Sequence, residues 1–283
     1  MALSRPERAR IGLALLALPA AVWTIDLLLA TPLLILAASS VPVVLVGSAI
    51  AAAQRGGGRS RASLACAALW GSAGAAFLAT TGNELARAWL RDAGGGRAVA
   101  AVAIAPVVEE STKALGLALL AVAAPRWLRN PRDGIVLGAL AGVGFVWTEN
   151  FLYLGVSMLQ GGEEGLVRTM LVRGVLGGAT HAVFTGCAGA VIGGQAAGIV
   201  ARTLAGLAIA AAQHAAWNGL AAPAIATALC GATAGACVPE PPLPAILRAA
   251  ILALLLLLPG IVFLAITWRR NGNNTRREEL AEP

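Results

Sequence analysis

Eight mostly apolar stretches of about 20 residues follow one another along this chain, separated by short breaks, and that rhythm is the strongest constraint on its fold. They run approximately over 11–30, 32–53, 62–81, 98–124, 134–157, 174–198, 203–221 and 245–268. The bilayer core offers no water to exposed backbone groups, so an apolar run of this length crosses as a helix. The expected fold class is all-α, a polytopic membrane helical bundle of about eight transmembrane helices. With 58% hydrophobic and 12% charged residues, the chain leaves no room for a separate soluble domain of the usual ~100 residues.

Arginine placement sets the orientation. Arg5, Arg8 and Arg10, then Arg55, Arg59 and Arg61, then Arg126, Arg129 and Arg132, then Arg202, then Arg269, Arg270, Arg276 and Arg277 all fall on one side of an eight-span chain. Short cytoplasmic loops concentrate Lys and Arg, so that side is cytoplasmic and both termini lie there. The opposite loops mix Arg87, Arg91, Arg97, Arg168 and Arg173 with Glu84, Asp92, Glu163 and Glu164. The net charge of +7 therefore reads as topology, and no nucleic-acid partner is expected. The charged start and short apolar core of residues 1–23 also have the shape of a secretory signal, an alternative that leaves everything downstream oriented as before.

Three parts are expected: 1–97 with helices 1–3, a catalytic four-helix core over 98–221, and 222–283 with an outer loop, the last helix and a basic cytoplasmic tail. The outer loop, 222–244, carries Cys230 and Cys237, which can pair in an oxidising compartment. No cysteine spacing suggests a metal site. Gly138/Gly142, Gly174/Gly178, Gly189/Gly193 and Gly194/Gly198 repeat the four-residue spacing that lets helices approach closely.

Six ionisable residues lie inside predicted spans: Glu109, Glu110, Lys113, Glu149, His181 and His214. At ~2.5–3.5 kcal/mol for each charged form at mid-depth, they cost on the order of 10 kcal/mol unless they share a polar cavity. Counted from the outer ends of their spans at ~1.5 Å per residue, Glu109, Glu149, His181 and His214 all sit ~10–17 Å deep. Helices of alternating direction do not impose that agreement, so one site in the outer half is expected. Adjacent Glu109 and Glu110 point ~100° apart and should not both reach one spot. Either can pair with Lys113, so one glutamate is expected to face the chemistry and the other to be held by the lysine. Asn150 and Tyr153 accompany Glu149. Asn218, one turn beyond His214, can steer the imidazole or donate to an oxyanion.

The ordered motifs Glu109-Glu110-x-x-Lys113, Phe145-x-x-x-Glu149-Asn150-Phe151-x-Tyr153, His181 with Phe184, and His214-x-x-Trp217-Asn218 resemble the PrsW family of intramembrane proteases, part of a wider group that includes the CAAX prenyl endopeptidases. The resemblance covers roughly 98–220. It implies an integral, multi-pass protein of the plasma membrane that hydrolyses a peptide bond of a membrane-tethered substrate, such as an anti-sigma factor, near the outer face. It also implies catalytic roles for Glu109, Glu110, Glu149, His181 and His214, supported by Lys113, Asn150, Tyr153 and Asn218. Glu149 stands where the CAAX-type relatives carry His, which leaves two routes open. In one, Glu109 activates water with help from Glu149 while His214 and Asn218 stabilise the oxyanion. In the other, a divalent metal such as zinc is held by His181, His214 and a glutamate, for instance Glu149, and another glutamate is the base. The rival from another class is a proton- or ion-coupled transporter using the same cluster. It predicts paired halves, and no half-to-half repeat is visible.

Overall fold

The computed structural model describes residues 4–54, 59–94, 96–230 and 242–281, and among these every regular element is a helix. Helix α1 is Arg5–Ala30, α2 Leu33–Ala53 and α3 Arg61–Asp92. Helix α4 spans 97–123, α7 spans 199–230, and α8 is Leu243–Ala281. Between α4 and α7 the helical run Pro131–Ile192 is broken at Gly162, whose φ of 59° separates α5 (131–161) from α6 (163–192).

Local chemistry explains the boundaries. Ser4 and Glu7 close a capping box at the start of α1, and extended Thr31 precedes Pro32, which disfavours helical backbone before it. Asn130 caps α5 by accepting from the Asp133 amide at 3.0 Å. The predicted spans leave residues 158–173 as an outer connection between the fifth and sixth helices. Instead the chain stays helical up to and beyond Gly162, where a backbone conformation that glycine adopts without strain turns it back on itself. The Ser157 and Thr169 hydroxyls then meet across the turn at 2.7 Å.

Two more boundaries are corrected. Helix α6 ends at Ile192 rather than near 198, and Gly194 and Gly198 lie in the connection to α7, so that pair does not mediate helix packing. Ala222–Cys230 continues α7 as helix rather than opening the outer loop, with Pro223 accommodated at its start and an apolar run following it. Cys237, with the rest of 231–241, lies outside the described residues.

Among the described residues, six segments are long and apolar enough to cross a membrane, and the folded run Pro131–Ile192 is one of them. Helix α4 is as long, but every part of it of spanning length carries Glu109, Glu110 and Lys113. The chain is thus a polytopic helical membrane protein in which Glu109, Glu110 and Lys113 of α4 are buried against its neighbours.

Glycine sets the tightest contact. Antiparallel α5 and α6 approach so closely that a Cβ on Gly134, Gly138 or Gly142 would overlap the carbonyls of Gly189, Thr185 and His181 respectively. The last of these places the His181 backbone directly on Gly142. At one end of the bundle Arg59 pairs with Asp133 at 2.9 Å, Arg132 Nε donates to the Trp268 carbonyl at 2.8 Å, and Arg10 donates to the Ala123 carbonyl. Burial pulls the Arg59 pKa below its ordinary value, and Asp133 opposes that shift.

Gly142→Val should separate α5 from α6 and lower stability by roughly 1–3 kcal/mol. Gly155→Val, with nothing within 4 Å of the added carbon, should change it by less than about 0.5 kcal/mol. Thermal unfolding in detergent compares the two.

Candidate active site

Helix α4 presents its adjacent glutamates to different neighbours. Glu110 is buried and accepts from Lys113 Nζ at 2.7 Å, from Thr185 Oγ1 at 3.1 Å and from His214 Nδ1 at 3.0 Å. Lys113, fully buried, also lies 2.7 Å from His181 Nδ1 and 3.7 Å from the centre of the Phe145 ring. An ammonium has three N–H groups and no acceptor, and here a carboxylate, an imidazole and an aromatic face receive them. One ion pair therefore fastens α4 to α6 and α7, with α5 beneath it.

These contacts assign the imidazole protons. Since Lys113 can only donate, His181 Nδ1 accepts and its proton sits on Nε2, which points at Glu149 Oε2 at 3.1 Å. Since ionised Glu110 can only accept, His214 carries its proton on Nδ1 and turns the lone pair of Nε2 toward Glu109 Oε2, 3.9 Å away.

Glu109 faces the other way, as the helical offset requires. Its Oε1 accepts from Asn83 Nδ2 at 3.1 Å, while Oε2 is buried without a hydrogen-bond partner. The expected division between a held and a free glutamate is present, with Glu110 held. The two carboxylates do not meet at one spot: they lie at opposite nitrogens of the His214 ring, Glu110 at Nδ1 and Glu109 3.9 Å from Nε2.

On α5, Glu149 Oε2 also takes Arg173 Nη2 at 2.5 Å, and that guanidinium stacks on the Tyr153 ring at 3.7 Å. Glu109, Glu149, Tyr153, His181, His214 and Asn218 all line one cavity of about 590 Å³. Asn150 does not line it; its side chain is buried and its amide atoms have no partner among the described residues. Asn218 donates to the Ala101 carbonyl at 2.9 Å rather than to an imidazole. Both residues lie in π-helical turns, Trp217–Ala221 and Ala100–Ile104, and such turns recur at functional sites.

Asn83, Arg173 and Thr185 are the site residues that sequence reasoning missed. Arg173 read as a loop charge and Asn83 lay just past a predicted span. Arg173 lies eight residues before His181, across a bend at 177–179, and that nearness in sequence was the available signal.

The metal reading can be tested on donor chemistry. Glu109, His181 and His214 each offer a ligand atom within 4.8 Å of one another's. The orphaned Glu109 Oε2 and the His214 Nε2 lone pair are the two donors that the surrounding network leaves open. The expected set had Glu149 in the place of Glu109, but Glu149 is engaged by Arg173 and His181. A divalent cation of unspecified identity fits these residues once His181 Nε2 gives up its proton, for which Glu149 is the neighbouring acceptor.

Buried carboxylates and imidazoles around an inner cavity of a membrane bundle define a membrane-embedded hydrolase. Residues 59–264 match the PrsW family intramembrane metalloprotease, and the chain belongs to that family. The match begins at α3, which supplies Asn83, before the motifs that carried the resemblance. No curated protein and no solved structure matches the chain.

Lys113→Met should cost about 3–5 kcal/mol, because it leaves the Glu110 carboxylate buried without its cation. Adding Glu110→Gln to it should recover part of that loss. A double-mutant cycle by denaturation in detergent measures the coupling.

Proposed function

We propose that this protein is an intramembrane endopeptidase of the plasma membrane, crossing it eight times with both termini cytoplasmic. It cuts a membrane-tethered protein, an anti-sigma factor being one example, near the outer face, using the core over 98–221. The observation that carries this reading is the pair of open acceptors, Glu109 Oε2 and His214 Nε2, facing each other in a cavity of about 590 Å³.

A water between those atoms is oriented by His214 and gives its proton to Glu109 as it attacks the scissile carbonyl carbon. The developing oxyanion is met by the second hydrogen of Asn218 Nδ2 on the cavity wall. Glu109 then returns the proton to the leaving amine, and the C–N bond breaks. Glu110 and Lys113 hold both imidazoles in the required tautomers without touching substrate. Glu149, braced by Arg173, keeps the His181 ring in place and is the acceptor for its Nε2 proton.

With a divalent cation bound, Glu109, His214 and a His181 whose Nε2 proton has passed to Glu149 would hold it, and it would supply Lewis-acid polarisation of the carbonyl. Glu149 is then the carboxylate left for proton transfer.

Glu109→Gln and His214→Ala should each lower cleavage of a single-pass substrate by roughly 10²–10⁴-fold, while both proteins still insert. Purified protein should bind a divalent ion that is lost in Glu109→Gln and retained in Glu149→Gln, read by elemental analysis. Full activity after complete chelation would exclude the metal route. Normal cleavage by Glu109→Gln would remove the whole assignment.

A further inference from the structure

The same cavity that contains Glu109 and His214 is lined, toward the end of the bundle where α3 hands over to α4, by Arg87, Arg91 and Arg97. On α3 the residues run outward on one face from Asn83, which touches Glu109, to Arg87 and Arg91 at i+4 and i+8. Leu85 and Trp89 are exposed on the other side of α3 and do not line the cavity. Arg97 opens α4 on the facing wall.

Arg87 is paired with Glu84. Arg91 and Arg97 have no ion pair or hydrogen bond among the described residues. Of the acids in the cavity wall, Glu149 is taken by Arg173 and Glu109 lies at the inner end. The mouth thus carries two uncompensated guanidiniums, and a cleft lined by one sign of charge focuses its field on what enters. Lipid phosphates gather around the outside of a bundle, beside residues such as Leu85 and Trp89; the three arginines, exposed at the mouth, also border the passage to the carboxylates.

Spacing converts this into a rule for the substrate. Arg87 and Arg91 lie about 6 and 12 Å beyond Asn83 along the helix, and Arg97 about 18 Å from Glu109, at ~1.5 Å per residue. A peptide bond must leave helix to be attacked, and extended chain covers ~3.3 Å per residue.

We propose that Arg91 and Arg97, with Arg87, form a vestibule that selects substrates bearing Asp or Glu about two to five residues from the scissile bond, on the side away from the membrane interior. The inference rests on the peptidase reading and adds the charge of the substrate to it.

The test uses the full chain in phosphatidylcholine vesicles and three single-pass reporters identical except for alanine, acidic or lysine residues in that window. The acidic reporter should have a kcat/KM at least about tenfold above the lysine reporter. Arg91→Glu combined with Arg97→Glu should reverse that order, and the corresponding pair of lysine substitutions should keep it. A wild-type ratio within about twofold of one overturns the proposal, even if the reversed variant fails to accumulate. So does a ratio that the reversed variant leaves unchanged, or a preference that arises only when anionic lipid is added. A wild type that cuts the alanine reporter without charge preference removes this inference alone, whereas one that cuts none of the three removes the peptidase reading with it.

Discussion

A fully buried ammonium cannot stand alone in a bilayer, and the arrangement of this site follows from how Lys113 is satisfied. Its three hydrogens go to Glu110, His181 and the Phe145 ring, each on a different helix. Because it only donates, it dictates which nitrogen of His181 carries the proton. Because it keeps Glu110 ionised by proximity, it does the same for His214 through that carboxylate. One lysine thereby sets two tautomers and binds α4 to α5, α6 and α7.

The neighbouring glutamate is free for chemistry for the same reason. Glu110 absorbs the cation and both inward hydrogen bonds, so Glu109 turns to the cavity with one oxygen anchored by Asn83 and the other open. Close helix approach makes this geometry possible. The glycines of α5 let the His181 backbone sit against Gly142, and a side chain there would move the imidazole away from both Lys113 and Glu149. The two ends of the bundle then divide their arginines by use. At one end Arg59 and Arg132 brace Asp133 and Trp268, and at the other Arg91 and Arg97 remain uncommitted beside the cavity.

Much of this was legible from residue type and depth. An apolar helix with Glu109, Glu110 and Lys113 has few physical solutions, and equal depth on antiparallel helices made Glu149, His181 and His214 its natural companions. The division of labour between adjacent glutamates followed from helical offset alone. Reading failed where position, not type, carried the meaning. Arg173 looked like an ordinary loop arginine because the reversal at Gly162, which keeps it in a helix, has no apolar signature. Asn83 was hidden because α3 extends well beyond its apolar stretch, to Asp92.

By itself the sequence determined that the chain is a helical membrane bundle and which charged side chains should meet inside it, since hydrophobic length and the cost of burying charge are properties of residues along a line. Only the tertiary structure decided which glutamate is held and which is open, that Glu109 rather than Glu149 completes the donor set, and that Arg173 and Asn83 belong to the site. Those outcomes depend on distances between helices far apart in the chain, and a one-dimensional pattern contains no information about which face of one helix meets which face of another.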